Sequence, residues 1–256
     1  MHVDELLDRL DSRFPLENAA TWDAVGLQIG WPGADVGRIA VCHEVTNQVI
    51  ATCADSSINT LVSYHPLLFV PTTKLIDGPT AGGRALRLAR LGVSLLVVHT
   101  AYDTATPGTG DALIDVLGLP GITTRWAQEE GEGQCAPGRL LELPTAIAGE
   151  ALVAAVSEAL DTAVRTAGSV DEVRRIAVLP GSGGSHAMEA ARIADVLITG
   201  DVSHHTASAA QAHGLMIIDA GHAATERPGV AALYAAVCDE VGEAAHFQDD
   251  PTPWEA

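Results

Sequence analysis

NTLVSYHPLLF, residues 59–69, leads after a short polar stretch into GGRALRLARLG at 82–92 and VSLLVVHT at 93–100. The outer segments hold short, nearly unbroken apolar runs rich in Val and Leu, the form taken by strands buried on both faces. The middle segment carries Leu and Ala at helical spacing between glycines, which suits a helix crossing from one strand to the next. Strand, helix and strand in this order predict a β-α unit of a largely parallel sheet with helices on both of its faces.

The same rhythm extends outward. Upstream, Val3, Leu6, Leu7, Leu10 and Phe14 mark one face of an opening helix, TWDAVGLQIGWPG follows as a glycine-containing stretch, RIAVCHEV reads as a strand, and Thr46 is the N-cap of the next helix. Downstream, ITTRWAQEEGEGQCAPG between Gly121 and Gly138 has no clean period, is dense in Gly and charge, and reads as a linker or exposed loop. Beyond it come RLLELP, an alanine-rich helix near 146–166, DEVRRIAVLPG and a second strand-helix alternation that runs on to the C-terminal part of the chain. The expected fold is therefore α/β in two lobes. The boundaries expected are 1–124 for the first lobe, 125–215 for the second, and 216–256 for a segment returning to the first.

Composition excludes several classes. At 256 residues with 47% apolar content the chain can bury one large core or two smaller ones. No apolar stretch approaches the roughly 20 residues of a membrane span, and MHVDELLDRLDSRF is acidic and amphipathic, unlike a secretory signal, so a cytoplasmic location is expected. Cys42, Cys53, Cys135 and Cys238 stand far apart without a C-x-x-C pair, which suggests reduced thiols rather than disulfides or a zinc ribbon. A formal charge of -19 repels nucleic-acid backbones and anionic membranes, so neither is an expected partner. The glycine turn Pro180-Gly181-Ser182-Gly183-Gly184 lacks the Lys and Ser/Thr of a P-loop, and there is no G-x-S-x-G elbow. That turn is read either as an anion cradle or as a tight structural turn.

Four apolar runs end in polar clusters: LVSYHP, LLVVHTAYD, VLITGDVSHH and MIIDAGHAATE. Ligands of open α/β sheets gather beyond the carboxyl ends of strands, so these clusters can share one site. Together they offer His65, His99, Asp103, Asp201, His204, His205, Asp219, His222 and Glu226, an imidazole and carboxylate set suited to Zn, Fe, Mn or Ni. His99/Asp103 and His222/Glu226 are each spaced so that one helical turn aims both members at a common point. Asp219 is read equally as a cap of the turn before Gly221. His213 suits a helix C-terminus, and His2, His43, His186 and His246 are assigned structural roles.

These residues carry a resemblance. WDAVGLQIG (22–30), SYHPLLF (63–69), HTAYD (99–103), GSGGS (181–185), TGDVSHH (199–205) and DAGHAATE (219–226) resemble, in order, the motifs of the Nif-three-like family, whose bacterial members are labelled GTP cyclohydrolase 1 type 2 homologues or dinuclear metal centre proteins. The resemblance implies a two-lobed subunit with a pair of divalent metals in a cleft between lobes, and a homo-hexameric ring. By position it implies metal ligands at Tyr64, His65, Asp103, His222 and Glu226, with Asp103 bridging, and His99 and His205 match histidines that line the same cleft; either is the expected catalytic acid or base of a metal-assisted hydrolysis. One departure stands out: where the family has two adjacent histidines, this chain has Tyr64 before His65. A neutral phenol, with an ordinary pKa of about 10, is a poor zinc ligand. Tyr64 binds as phenolate, a water replaces the missing imidazole, or one metal position is weak and the site holds effectively one ion. The last is the favoured reading, with His99 able to compensate. The function implied is metal-assisted hydrolysis of an unknown small molecule, a nucleotide being one candidate, with the Pro180–Gly184 turn as a phosphate contact. The alternative is a metal-binding scaffold or partner protein without chemistry.

Overall fold

The computed structural model describes residues 1–127, 136–242 and 244–246. Cys135 and the side chain of His246 therefore lie outside the described residues. The elements of the first part are α1 (Val3–Arg13), β1 (Gly26–Ile29), β2 (Ile39–Cys42), α2 (Asn47–Asp55), β3 (Thr60–Ser63), α3 (Ala81–Leu91), β4 (Ser94–Val97) and α4 (His99–Thr104). Next come α5 (Thr109–Leu117), β5 (Ile122–Trp126), β6 (Gly138–Ala148), α6 (Gly149–Leu160), β7 (Arg165–Ala167) and β8 (Glu172–Val178). The chain continues through α7 (Ala187–Ile193), β9 (Val196–Thr199), α8 (His204–Ala212), β10 (Met216–Asp219), α9 (His222–Val241) and β11 (Ala245–His246).

Two compact units result, one of residues 1–105 with 230–256, the other of residues 106–229. In this division α5 and β5 belong to the second unit, as do β10 and the first two turns of α9.

In the first unit the sheet order is β1-β4-β3-β2-β11, with β11, β2, β3 and β4 parallel and β1 antiparallel to β4. The register Ala40↔Leu61↔Leu95 and Val41↔Val62↔Leu96 sorts the strands onto two faces. Ala40, Leu61 and Leu95 pack with Val49, Ile50 and Cys53 of α2 and Ala85 and Leu88 of α3. Val41, Val62 and Leu96 pack with Val3, Leu6 and Leu10 of α1 and Val230, Leu233 and Val237 of α9. Apolar residues on both faces explain why the strands read as unbroken runs. Thr46 caps α2 as expected, its hydroxyl accepting from the Val49 N–H, while Gly92 ends α3 in the left-handed region at φ 72°. Cys42 and Cys53 are buried and in no disulfide, and burial pushes the Cys53 thiol up to about 11.

The second unit holds a mixed sheet in the order β5-β6-β8-β9-β10-β7, in which β8, β9 and β10 run parallel to one another while β5–β6, β6–β8 and β10–β7 pair antiparallel. One face packs Ile176, Val178, Ile198 and Ile218 against α5 and α6. The other packs Ala177, Leu197 and Ile217 against the alanines of α7 and α8. No helix among the described residues is long and apolar enough to cross a membrane.

Candidate metal centre

The parallel register Cys42↔Ser63↔Val97 levels the carboxyl ends of β2, β3 and β4. The backbone pairing continues past them: Tyr64 N–H donates to Cys42 O at 3.0 Å, His65 N–H to His43 O at 2.8 Å, and His99 N–H to Tyr64 O at 3.0 Å. Four ring side chains are gathered as a consequence. His43 stacks on His65 with centroids 5.0 Å apart and planes at 29°; His65 lies 4.9 Å from His99. The Tyr64 ring touches all three imidazoles, at 5.6 Å from His43, 4.8 Å from His65 and 5.5 Å from His99. Its hydroxyl donates to Asp103 Oδ1 at 2.7 Å, so the tyrosine and the aspartate expected to share metal are hydrogen-bonded to each other.

Asp23 holds His99 in place. Its Oδ2 accepts from His99 Nδ1 at 2.8 Å, Thr100 N–H at 3.1 Å and the Thr100 hydroxyl at 2.5 Å. His99 itself is in an uncommon backbone conformation, φ 22°, at the turn from β4 into α4. Burial pushes the Asp23 carboxyl up, but the His99 hydrogen bond and charge together with the two Thr100 hydrogen bonds outweigh it and hold the pKa below the ordinary value. Trp22 and Phe69, each half exposed, flank the same imidazole at 6.2 and 6.1 Å.

On α9, His222 and Glu226 meet across one turn as their spacing predicts, with His222 Nε2 3.2 Å from Glu226 Oε2. His222 Nδ1 is 2.7 Å from Asp201 Oδ2. The hydrogen bond with Glu226 leads the causes that raise the His222 pKa to about 9; burial opposes it, and the charges of Glu226 and Asp201 add to the rise. In the Pro180–Gly184 turn, Gly181 N–H donates to Thr225 Oγ1 and Gly183 N–H to Thr199 Oγ1, both at 2.9 Å. Those two donors are spent inside the protein, as in a tight structural turn. Asp219 accepts from Gly221 N–H at 3.0 Å, as a cap of that turn would, and also pairs with Arg165. His204 and His205 stand exposed on the first turn of α8, their rings 5.4 Å apart, and His213 caps the far end of the same helix.

Three side chains form a group able to hold a metal ion: His43, His65 and Glu226 each offer one ligand atom, all within 4.8 Å of one another. Of the five ligands expected, His65 and Glu226 are in it. His43 had been given a structural role, although the strand-end rule applied to RIAVCHEV points to it directly. Asp23 was also missed; the only sign of it was its place in WDAVGLQIG.

The Duf34/NIF3 (NGG1p interacting factor 3) family profile matches residues 1–250. The chain belongs to the Duf34/NIF3 family. A Streptomyces coelicolor protein described as a GTP cyclohydrolase 1 type 2 homolog is 32% identical over 248 residues, covering 94% of this chain and 87% of its own. A Helicobacter pylori protein described as GTP cyclohydrolase 1 type 2 is 28% identical, covering 92% of this chain and 90% of its own. Among solved structures, a Bacillus cereus protein related to NIF3 superposes with a TM-score of 0.87 at 20% identity, covering 100% of this chain and 99% of its own. At that identity the likeness shows the fold, and the two mixed sheets with their helices are the Duf34/NIF3 fold.

Proposed function

We propose that this protein is a metal-dependent hydrolase whose divalent ion is held through His65 and Glu226, with His43 and His222 as further donors. The observation carrying this reading is the clustering of two imidazoles and one carboxylate within 4.8 Å. Two ligands of one zinc ion, each about 2.1 Å from it, are at most about 4.2 Å apart, so small side-chain rotations suffice for the group to close. The set fits Zn, Fe, Mn or Ni, and one or two ions per subunit. When bound, such an ion supplies Lewis acidity and makes water a better nucleophile.

The chain's own residues supply the rest. Asp23, ionised and buried, fixes the proton of His99 on Nδ1. His99 Nε2 is then the basic atom, suited to take a proton from an attacking water and return it to a leaving group. His205, exposed on α8, has no comparable support for its expected catalytic role. The substrate class rests on the relatives' descriptions, which make a nucleotide the first candidate. With a formal charge of -19 and two of the glycine-turn amides in use, an anionic substrate depends largely on the ion for its attraction. The family likeness adds a cytoplasmic homo-hexamer that binds neither membrane nor nucleic acid, and the exposed Phe69, Val70, Leu75 and Ile76 support a contact between copies.

The test is the metal content of protein purified without chelator, followed by hydrolysis of nucleotides and phosphoesters with and without chelator. Activity that is lost on chelation and in Glu226→Gln supports the enzyme. A bound ion with no turnover refutes the hydrolase and leaves the metal-binding scaffold.

A further inference from the structure

We propose that strand β2, through His43, supplies the second imidazole of a one-ion centre, and that Tyr64 serves this centre from outside the ligand set by holding Asp103 with its hydroxyl. The inference rests on the metal-binding reading above and concerns which residues reach the ion and how many ions there are.

His43 and Tyr64 are level neighbours on adjacent parallel strands, each one residue beyond the pair Cys42↔Ser63. Level residues of a parallel pair face the same side of the sheet, about 4.8 Å apart, so either side chain could present a donor at the same height. Their chemistry decides between them. The Tyr64 hydroxyl donates to Asp103 at 2.7 Å, so its oxygen is held on that carboxylate. His43 is 3% exposed, stacks on His65, and has a ring nitrogen within 4.8 Å of ligand atoms of both His65 and Glu226. The same hydrogen bond engages one oxygen of Asp103, the carboxylate that would have to bridge a second ion. A hydroxyl and an aspartate held on each other, beside the clustered imidazoles of His43 and His65, leave one well-furnished metal position.

The experiment uses the full chain with cobalt(II) and zinc(II). Stoichiometry is read by elemental analysis and affinity by competition with a chromophoric chelator, while the visible spectrum of the cobalt form reports the ligand set. One ion per subunit is expected in the unaltered protein. Tyr64→Phe should keep that stoichiometry and the cobalt band positions, with affinity reduced by about 10- to 100-fold at most, the range for a residue supporting a ligand. His43→Gln should shift the cobalt bands and weaken zinc by more than that; His43→Asp, which restores a ligand atom, should recover part of the loss. Two ions per subunit, a Tyr64→Phe spectrum altered like that of a lost ligand, or a His43→Gln spectrum identical to the parent would each overturn the inference while leaving the metal-binding reading intact. Absence of any stoichiometric ion in the unaltered protein would overturn both.

Discussion

Replacing Asp23 by Asn tests the most buried charge of the site. The Asp23 side chain is fully buried and His99 is 10% exposed, so solvent screens their interaction little. One oxygen receives three hydrogen bonds, from His99 Nδ1, the Thr100 amide and the Thr100 hydroxyl. Bonds to a charged acceptor contribute about 1.5–3 kcal/mol each and neutral ones about 0.5–1.5. An isosteric Asn keeps the shape and loses the charge, so the loss should be roughly 2–3 kcal/mol at pH 7. The sign of the pH dependence follows from the depressed carboxyl. Its folded value lies below the unfolded one of about 3.9, so the charge stabilises the fold fully above that pH and its contribution fades as the pH falls through the folded value. Urea unfolding of metal-free protein, followed by tryptophan fluorescence at several pH values, measures the gap between parent and variant. The gap should be flat from about pH 8 to 5 and narrow below about pH 4. A gap under about 0.5 kcal/mol at pH 7, or one that widens on acidification, would refute the role given to Asp23.

Two further outcomes follow from the surroundings of Glu226. Gly181 has φ 70°, and a Cβ there would fall on Glu226 Oε1 well inside van der Waals contact, so Gly181→Ala should displace the carboxylate and weaken zinc binding at least tenfold in a chelator competition. Glu226→Leu should abolish stoichiometric metal and lower the thermal midpoint of the metal-free protein, because it removes one partner of a buried charged pair and leaves His222 without that carboxylate; an unchanged or raised midpoint would show that the pair does not stabilise the fold.

Much of the first unit could be read in the residues. The runs at β2, β3 and β4 are buried on both faces and contain no ambiguity of period, and Thr46 and Gly92 mark helix ends by chemistry that acts locally. Strand β1 was hidden because GLQI is four residues of partly exposed sequence, held as a strand only by pairing with β4. Gly30 belongs to the same hidden contact: its φ is 122° and a Cβ would press on the backbone of Ser94, a closeness that no local pattern announces. In the site, the spacing of His222 and Glu226 gave their geometry because both lie on one helix. Tyr64, His43 and Asp23 were harder. Their roles depend on which strands are neighbours and on who donates to whom, and both are decided by tertiary pairing rather than by order along the chain.

Helix α9 shows how a catalytic-type carboxylate is carried to depth by ordinary folding forces. Val230, Leu233 and Val237 form the stripe that packs on the β2-β3-β4 face, all 4% exposed or less. Counting back by helical spacing, Glu226 stands one turn before Val230 and His222 one turn before that, so both continue the apolar stripe. Glu226 is buried to 3% exposure by the helix it belongs to. An ionised carboxylate at that depth is stable only with a positive partner, because desolvation alone costs several kcal/mol. In the metal-free chain His222 is that partner, itself held from its other nitrogen by Asp201. The packing of α9 thus creates a demand for positive charge at Glu226, which His222 answers.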